Sequence, residues 1–143
     1  VWVVAARSGK ATQLTEDNDY QEGMPDWSAD STTLLFSSNR VEDPDLNNQY
    51  GQLYTIPAGG GELTEIKVDN EFGKMAPQYS PDGKWISFLG HRQGGNYWQI
   101  MSLFVVPAGG GKAKNLTHAH DMHCVAACIG DHGGAGFSAP IWA

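Results

Sequence analysis

Six side chains able to ligate a metal crowd into the stretch "HAHDMHCVAACIGDH": His118, His120, His123, Cys124, Cys128 and His132. Imidazole nitrogen and thiolate are the donors that Zn²⁺ takes, so metal binding is the first chemistry this chain suggests. The spacing matches no standard zinc finger. His118-x-His120 would put both rings on one face of a strand, whereas Cys124 and Cys128 would share a face only on a helix. The bland alternative is a long connection between structural repeats, and on that reading no residue is assigned as a metal ligand.

Other chemistry-bearing residues lead no further. Asp43, Asp45, Asn47 and Asn48 in "EDPDLNN" offer oxygen donors for Ca²⁺, but the run lacks the turn glycine and terminal glutamate of an EF-hand loop and reads as a solvated loop. Gly136-Phe137-Ser138-Ala139-Pro140 imitates a G-x-S-x-G nucleophile elbow with Pro where the second Gly must stand, so Ser138 is not taken as a nucleophile and no catalytic residue is assigned. "AGGG", at 58–61 and 108–111, has no following Lys-Ser/Thr pair and is no phosphate cradle. Asn115-Leu116-Thr117 fits a glycosylation acceptor, yet it also closes a repeated phrase. No cofactor is implied.

Composition narrows the partners. Nine basic against sixteen acidic residues give a net charge of −7, which repels a phosphate backbone and argues against nucleic acid. No run approaches the ~18 apolar residues of a membrane span, and Val1-Trp2-Val3-Val4 lacks the charged start of a signal peptide, so no membrane partner is expected and the cytoplasm is the expected compartment. Two cysteines are too few for a disulfide scaffold. The first residue is not Met, which is expected of a piece of a longer chain.

The elements that must position all of these side chains are repeats. "PDWSADSTTLLFSSNR" from Pro25 returns as "PQYSPDGKWISFLGHR" from Pro77 at a constant offset of 52 residues. A second phrase occurs three times, as "VWVVAARSGKATQLT" from Val1, "LYTIPAGGGELTEIK" from Leu53 and "LFVVPAGGGKAKNLT" from Leu103. Fixed-period self-similarity of this length marks stacked supersecondary units. Leu34–Phe36, Leu53–Ile56, Trp85–Leu89 and Leu103–Val106 are short strand-like runs bounded by Gly, Pro, Asp and Ser. In Ser80-Pro81-Asp82-Gly83 the Pro presets φ, the Asp bonds the backbone two residues on, and the Gly accepts positive φ, so the segment is a tight turn.

Four strands per unit, apolar on both faces, suit a sheet packed between like sheets, which is a propeller blade. The expected fold is therefore all-β, a β-propeller fragment of four-stranded antiparallel blades. Residues 1–15 supply the last two strands of one blade, 24–67 and 75–117 supply complete blades, 118–138 form a long inter-blade connection, and 139–143 begin the next blade. Trp27, Tyr79 and Trp142 share one repeat position, where packing between blades is expected. The faces around Val1, Val3 and Trp142 would lie bare and promote self-association of the fragment.

The "P-x-W-S-x-D" opening, the "SPDG" turn and the "V-P-A-G-G-G…L-T" close resemble the TolB-type propeller repeat. The longer connections "SNRVEDPDLNNQYGQLYTIPAGGG" and "FLGHRQGGNYWQIMSLFVVPAGGG" resemble the propeller domain of acylaminoacyl-peptidase-like members of the prolyl oligopeptidase family of serine peptidases. That resemblance implies seven blades joined to an α/β-hydrolase domain, which together with the remaining blades would be the partner of this chain. It also implies a propeller that covers the active site and limits access to short peptide substrates, the chain itself being non-catalytic. A TolB-like binding propeller for protein interaction is the alternative reading, and a metal-binding segment at 118–132 the second.

Overall fold

The computed structural model describes residues 1–16, 19–47, 50–69, 73–91, 100–125 and 138–143. These contain ten strands and no helix: β1 (Trp2–Val4), β2 (Ala11–Gln13), β3 (Glu22–Trp27), β4 (Thr33–Ser38), β5 (Gln52–Pro57), β6 (Thr64–Ile66), β7 (Lys74–Tyr79), β8 (Trp85–His91), β9 (Met101–Pro107) and β10 (Lys114–Asn115). Ladders join β1 to β2, β3 through β6 in chain order, and β7 through β10 in chain order, every pair antiparallel. The chain is all-β, built as two four-stranded sheets preceded by a hairpin. That hairpin matches β5–β6 in the repeat.

The turn between the first two strands of each sheet is the same hydrogen-bonded device built twice. In the first, Ser28 Oγ donates to Asp30 Oδ1 at 2.7 Å and accepts from Thr33 N at 2.9 Å, while Thr32 N donates to Asp30 Oδ1 at 3.1 Å. In the second, Ser80 Oγ donates to Asp82 Oδ1 at 2.6 Å and accepts from Trp85 N at 3.0 Å, while Lys84 N donates to Asp82 Oδ1 at 3.1 Å. Those donors hold both carboxyls below the usual aspartate range: the Ser28 and Thr32 bonds lead at Asp30, and the Ser80 and Lys84 bonds lead at Asp82. The left-handed position of this turn is Gly83 (φ 69°) in one copy and Ser31 (φ 59°) in the other.

A second irregularity repeats in the innermost strands. The register of β3 against β4 slips between Gly23 and Asp26, and that of β7 against β8 slips between Met75 and Gln78. The extra residue is Met24 (φ 52°) in one and Ala76 (φ 49°) in the other, each directly before the repeat's proline. These are β-bulges, which bend a strand and re-aim the side chains beyond it.

Strand alternation then makes each sheet sticky on both sides. Leu34 and Phe36 of β4 join Leu14 and Ile56 on the side of the β1–β2 hairpin, with Val1, Val3, Tyr54 and Leu63 packed around them. Leu35, from the same strand, faces the other way with Leu53 and Ile66 and meets Ile86, Phe88, Phe104 and Val106 of the second sheet. Phe88 and Phe104 stack there with centroids 5.3 Å apart. A third cluster of Ala76, Leu89 and Met101 lies on the far side of the second sheet.

Val1 and Val3 are thus covered by the first sheet, contrary to the expectation that they lie bare. The outward residues of β1 are Trp2 and Val4, each 60% exposed, because alternation sends one set inward and the next outward.

Two polar clamps fix the sheets face to face. Tyr79 N donates to Asp26 Oδ2 at 2.7 Å, tying one innermost strand to the next. At the outer edge Gly111 N donates to Lys67 O and Asp69 N donates to Gly111 O, both at 2.8 Å. A Cβ at Gly110 would stand 2.3 Å from Lys67 O, so the glycine run is what lets the second sheet approach the outer strand of the first.

Candidate functional site

The charged residues that sequence reading passed over are the ones the fold buries. Glu22 and Lys74 stand at one repeat position, at the start of β3 and β7. The Glu22 carboxylate accepts from Thr15 Oγ1 at 2.5 Å and from Arg40 Nη2 at 2.5 Å. The Arg40 guanidinium lies over Tyr20 at 4.7 Å and Tyr54 at 5.5 Å, so a cation–π sandwich completes the cluster.

Lys74 is buried, with Nζ donating to Gln52 Oε1 at 2.6 Å. Burial lowers its pKa to about 8, against a small opposing pull from Glu65. Two charged residues 52 positions apart, each opening a strand, were the signal available in the sequence.

Beside this cluster the loop after β4 closes a polar pocket of about 200 Å³ lined by Asp19, Gln21, Asn39, Pro44 and Asp45. Asn39 Nδ2 donates to Pro44 O at 3.3 Å and to Asn47 O at 2.6 Å, folding the loop back on the strand. Of the oxygen set weighed for Ca²⁺, Asp43 and Asp45 are exposed and the Asn47 amide donates to Glu42 O and Asp43 O. Asn48 lies outside the described residues.

The described part of the His/Cys segment is used to extend the outer edge of the second sheet. His123 Nδ1 accepts from Met101 N at 3.2 Å, Cys124 N donates to Met101 O at 2.9 Å, and Cys124 Sγ lies 3.5 Å from Thr117 Oγ1. His118 and His120 are exposed. Cys128 and His132 lie outside the described residues, and among the described residues no three metal-binding groups converge. Ser138 is exposed. Asn115 Oδ1 accepts from Thr117 N at 2.9 Å, a local turn within the acceptor-like triplet.

The three aromatics at one repeat position differ in setting. Tyr79 packs on the cluster between the sheets, and Trp142 Nε1 donates to Gln78 O at 3.4 Å. Trp27 is 44% exposed. Residues 139–143 pair with no described strand.

No family model matches the chain. A search of solved structures finds the putative TolB from Agrobacterium tumefaciens, with a TM-score of 0.65 and 21% identity, covering 80% of this chain and 39% of that one. It also finds TolB from Acinetobacter baumannii, with a TM-score of 0.42 and 15% identity, over 80% of this chain and 37% of that one. The Agrobacterium structure shows the fold: the sheets are blades of a TolB-type β-propeller. Among curated proteins the chain is similar to the uncharacterized peptidase YuxL of Bacillus subtilis (strain 168), 31% identical over 86 residues. That match covers 60% of this chain and 12% of the peptidase. The chain is a run of TolB-type propeller blades resembling part of a peptidase.

Proposed function

We propose that these blades belong to the propeller of a prolyl-oligopeptidase-type serine peptidase, where they cover an α/β-hydrolase active site and restrict access to short peptides. The observation that carries this reading is the 31% identity with a bacterial peptidase over 86 residues, on propeller blades that offer no catalytic constellation among the described residues. The blades would act by rigidity. Apolar clusters on both faces and the Asp26–Tyr79 clamp resist separation of neighbouring blades, so a folded protein could not wedge them apart while a flexible peptide could thread past. Acyl transfer would fall to the hydrolase domain, with the remaining blades closing the ring, in the cytoplasm.

The test is the coding sequence past codon 143 together with activity. A G-x-S-x-G elbow followed by Asp and His, and hydrolysis of blocked short peptides but not of folded proteins by the full-length product, is the expected result. Turnover by the purified 143-residue chain, lost on Ser138→Ala, would refute it. A downstream sequence with no hydrolase domain would leave the binding-propeller reading instead.

A further inference from the structure

The outer edge of β9 is closed first by backbone and then by side chains. β10 pairs with it as far as Asn115 opposite Phe104, and Leu116 N still donates to Leu103 O at 2.8 Å. Beyond that point the chain leaves the ladder. Leu103 N donates instead to Thr117 Oγ1 at 3.1 Å and Met101 N to His123 Nδ1 at 3.2 Å, while Cys124 N returns to Met101 O at 2.9 Å. Met101 is buried, so its N–H has to find its acceptor within the protein.

The mooring stands at a repeat position. In the first blade the carbonyl that matches Met101 O is that of Gly51, and it accepts at 2.7 Å from the N–H of Lys74, which opens the next inner strand. In the second blade the returning N–H belongs to Cys124, whereas the residue that matches Lys74 in register, three before Pro140, is Phe137. His123 and Cys124 therefore fix the connection well before the next inner strand is due, and one of the two bonds that fix it ends on an imidazole.

Accepting a backbone N–H requires a bare lone pair on Nδ1, which puts the proton of the neutral ring on Nε2. A second proton has only Nδ1 to occupy, and the cation then turns an N–H toward the Met101 N–H, donor against donor. Imidazole is the side chain that makes this change between about pH 5 and about 8.

We propose that His123 is an acid-released latch: its neutral ring moors residues 118–124 on the edge of β9, and protonation frees that segment and the start of the connection to the next blade. The latched state needs the uncharged ring, so mooring is complete at high pH and is lost as pH falls. The other titratable groups on its segment are His118, His120, Asp121 and Cys124, and β8 contributes His91, which pairs with Met101 from the opposite side. β9 carries none, Lys114 of β10 lies opposite Val105, and Lys74 of β7 reaches Gln52 of the first sheet. The acceptor for Met101 N is the His123 ring. The inference does not rest on the peptidase reading.

The test is amide hydrogen exchange of the dilute 143-residue chain, resolved at Met101 by mass spectrometry and corrected for the intrinsic rate. Protection of Met101 should fall by roughly fivefold or more between about pH 7.5 and about 5, as the loss of one hydrogen bond gives, while Phe104 in the same strand stays protected. His123→Asn sets a carboxamide oxygen where Nδ1 stands and does not titrate, so this variant should keep Met101 protected across the range. His120→Asn and His91→Asn should leave the fall in place. Protection that does not change with pH in the wild type, a fall that persists in His123→Asn, or an equal loss at Phe104, which would mean that the whole sheet opens, overturns the proposal.

Discussion

Raising the pH from 7 toward 9.5 should strengthen this fold through one side chain, Lys74. The residue is 1% exposed, and burial brings its pKa from 10.5 down to about 8. Because the folded value lies below the unfolded one, the unfolded chain binds more protons between the two. The free energy of unfolding must therefore rise as pH climbs from about 8 toward 10.5, while below pH 8 the penalty for burying the ammonium is present in full. At ~1.36 kcal/mol per pH unit, that gap caps the effect near ~3 kcal/mol. Lys74→Met keeps the bulk and removes the charge, but it leaves Gln52 Oε1 without this donor, at a cost of ~1 kcal/mol. The variant should gain roughly 1–2 kcal/mol at pH 7 and lose the pH dependence.

Urea unfolding followed by tryptophan emission, on dilute protein between pH 6.5 and about 9.5, reads both quantities. The upper limit matters because burial also raises the pKa values of Tyr54 and Tyr79. A phenol with a raised folded value ionises first in the unfolded chain, so these two would lower stability above ~10 and mask the lysine. A wild-type midpoint that stays flat from pH 8 to 9.5, or a Lys74→Met variant less stable at pH 7, would show that the ammonium is well solvated and the reasoning wrong.

The duplicated turn gives a paired test: Ser31→Gly should stabilise the first blade by ~0.5–1 kcal/mol and Gly83→Ala destabilise the second by ~1–2 kcal/mol, both read from urea midpoints, because only glycine takes positive φ without strain. Phe88→Ala should lose ~3–5 kcal/mol, since the ring is fully buried and stacked on Phe104 between the blades. A strong chelator should leave the melting temperature unchanged, and a large drop with stoichiometric zinc in the purified protein would establish a metal site in 118–132. The isolated chain should self-associate at micromolar concentration through bare faces such as that of Trp2 and Val4, each 60% exposed, because several hundred Å² of apolar surface at ~25 cal/mol per Å² rivals the stability of a small domain. A monomeric, cooperatively folding chain in the ultracentrifuge would rule that out.

The repeat, the strands and the turns were legible in the sequence because each depends on residues that are neighbours in the chain. Ser28 to Asp30 and Ser80 to Asp82 close their bonds across two positions, and any sequence with that spacing carries the instruction with it. The two-faced character of β4 could be read the same way, from Leu34, Leu35 and Phe36 standing in a row. Burial of the charges could not. Glu22 and Lys74 look alike as strand-opening polar residues, and whether each is covered depends on residues far from it in the chain: Arg40 after β4 of its own sheet and Thr15 after the preceding hairpin in one case, the start of β5 in the neighbouring sheet in the other. The facing of β1 was also decided only in three dimensions, since a hairpin of three-residue strands can bury Val1 and Val3 or Trp2 and Val4, and the cluster of Leu34 and Phe36 chose the first pair. The bulges at Met24 and Ala76 were decided there too.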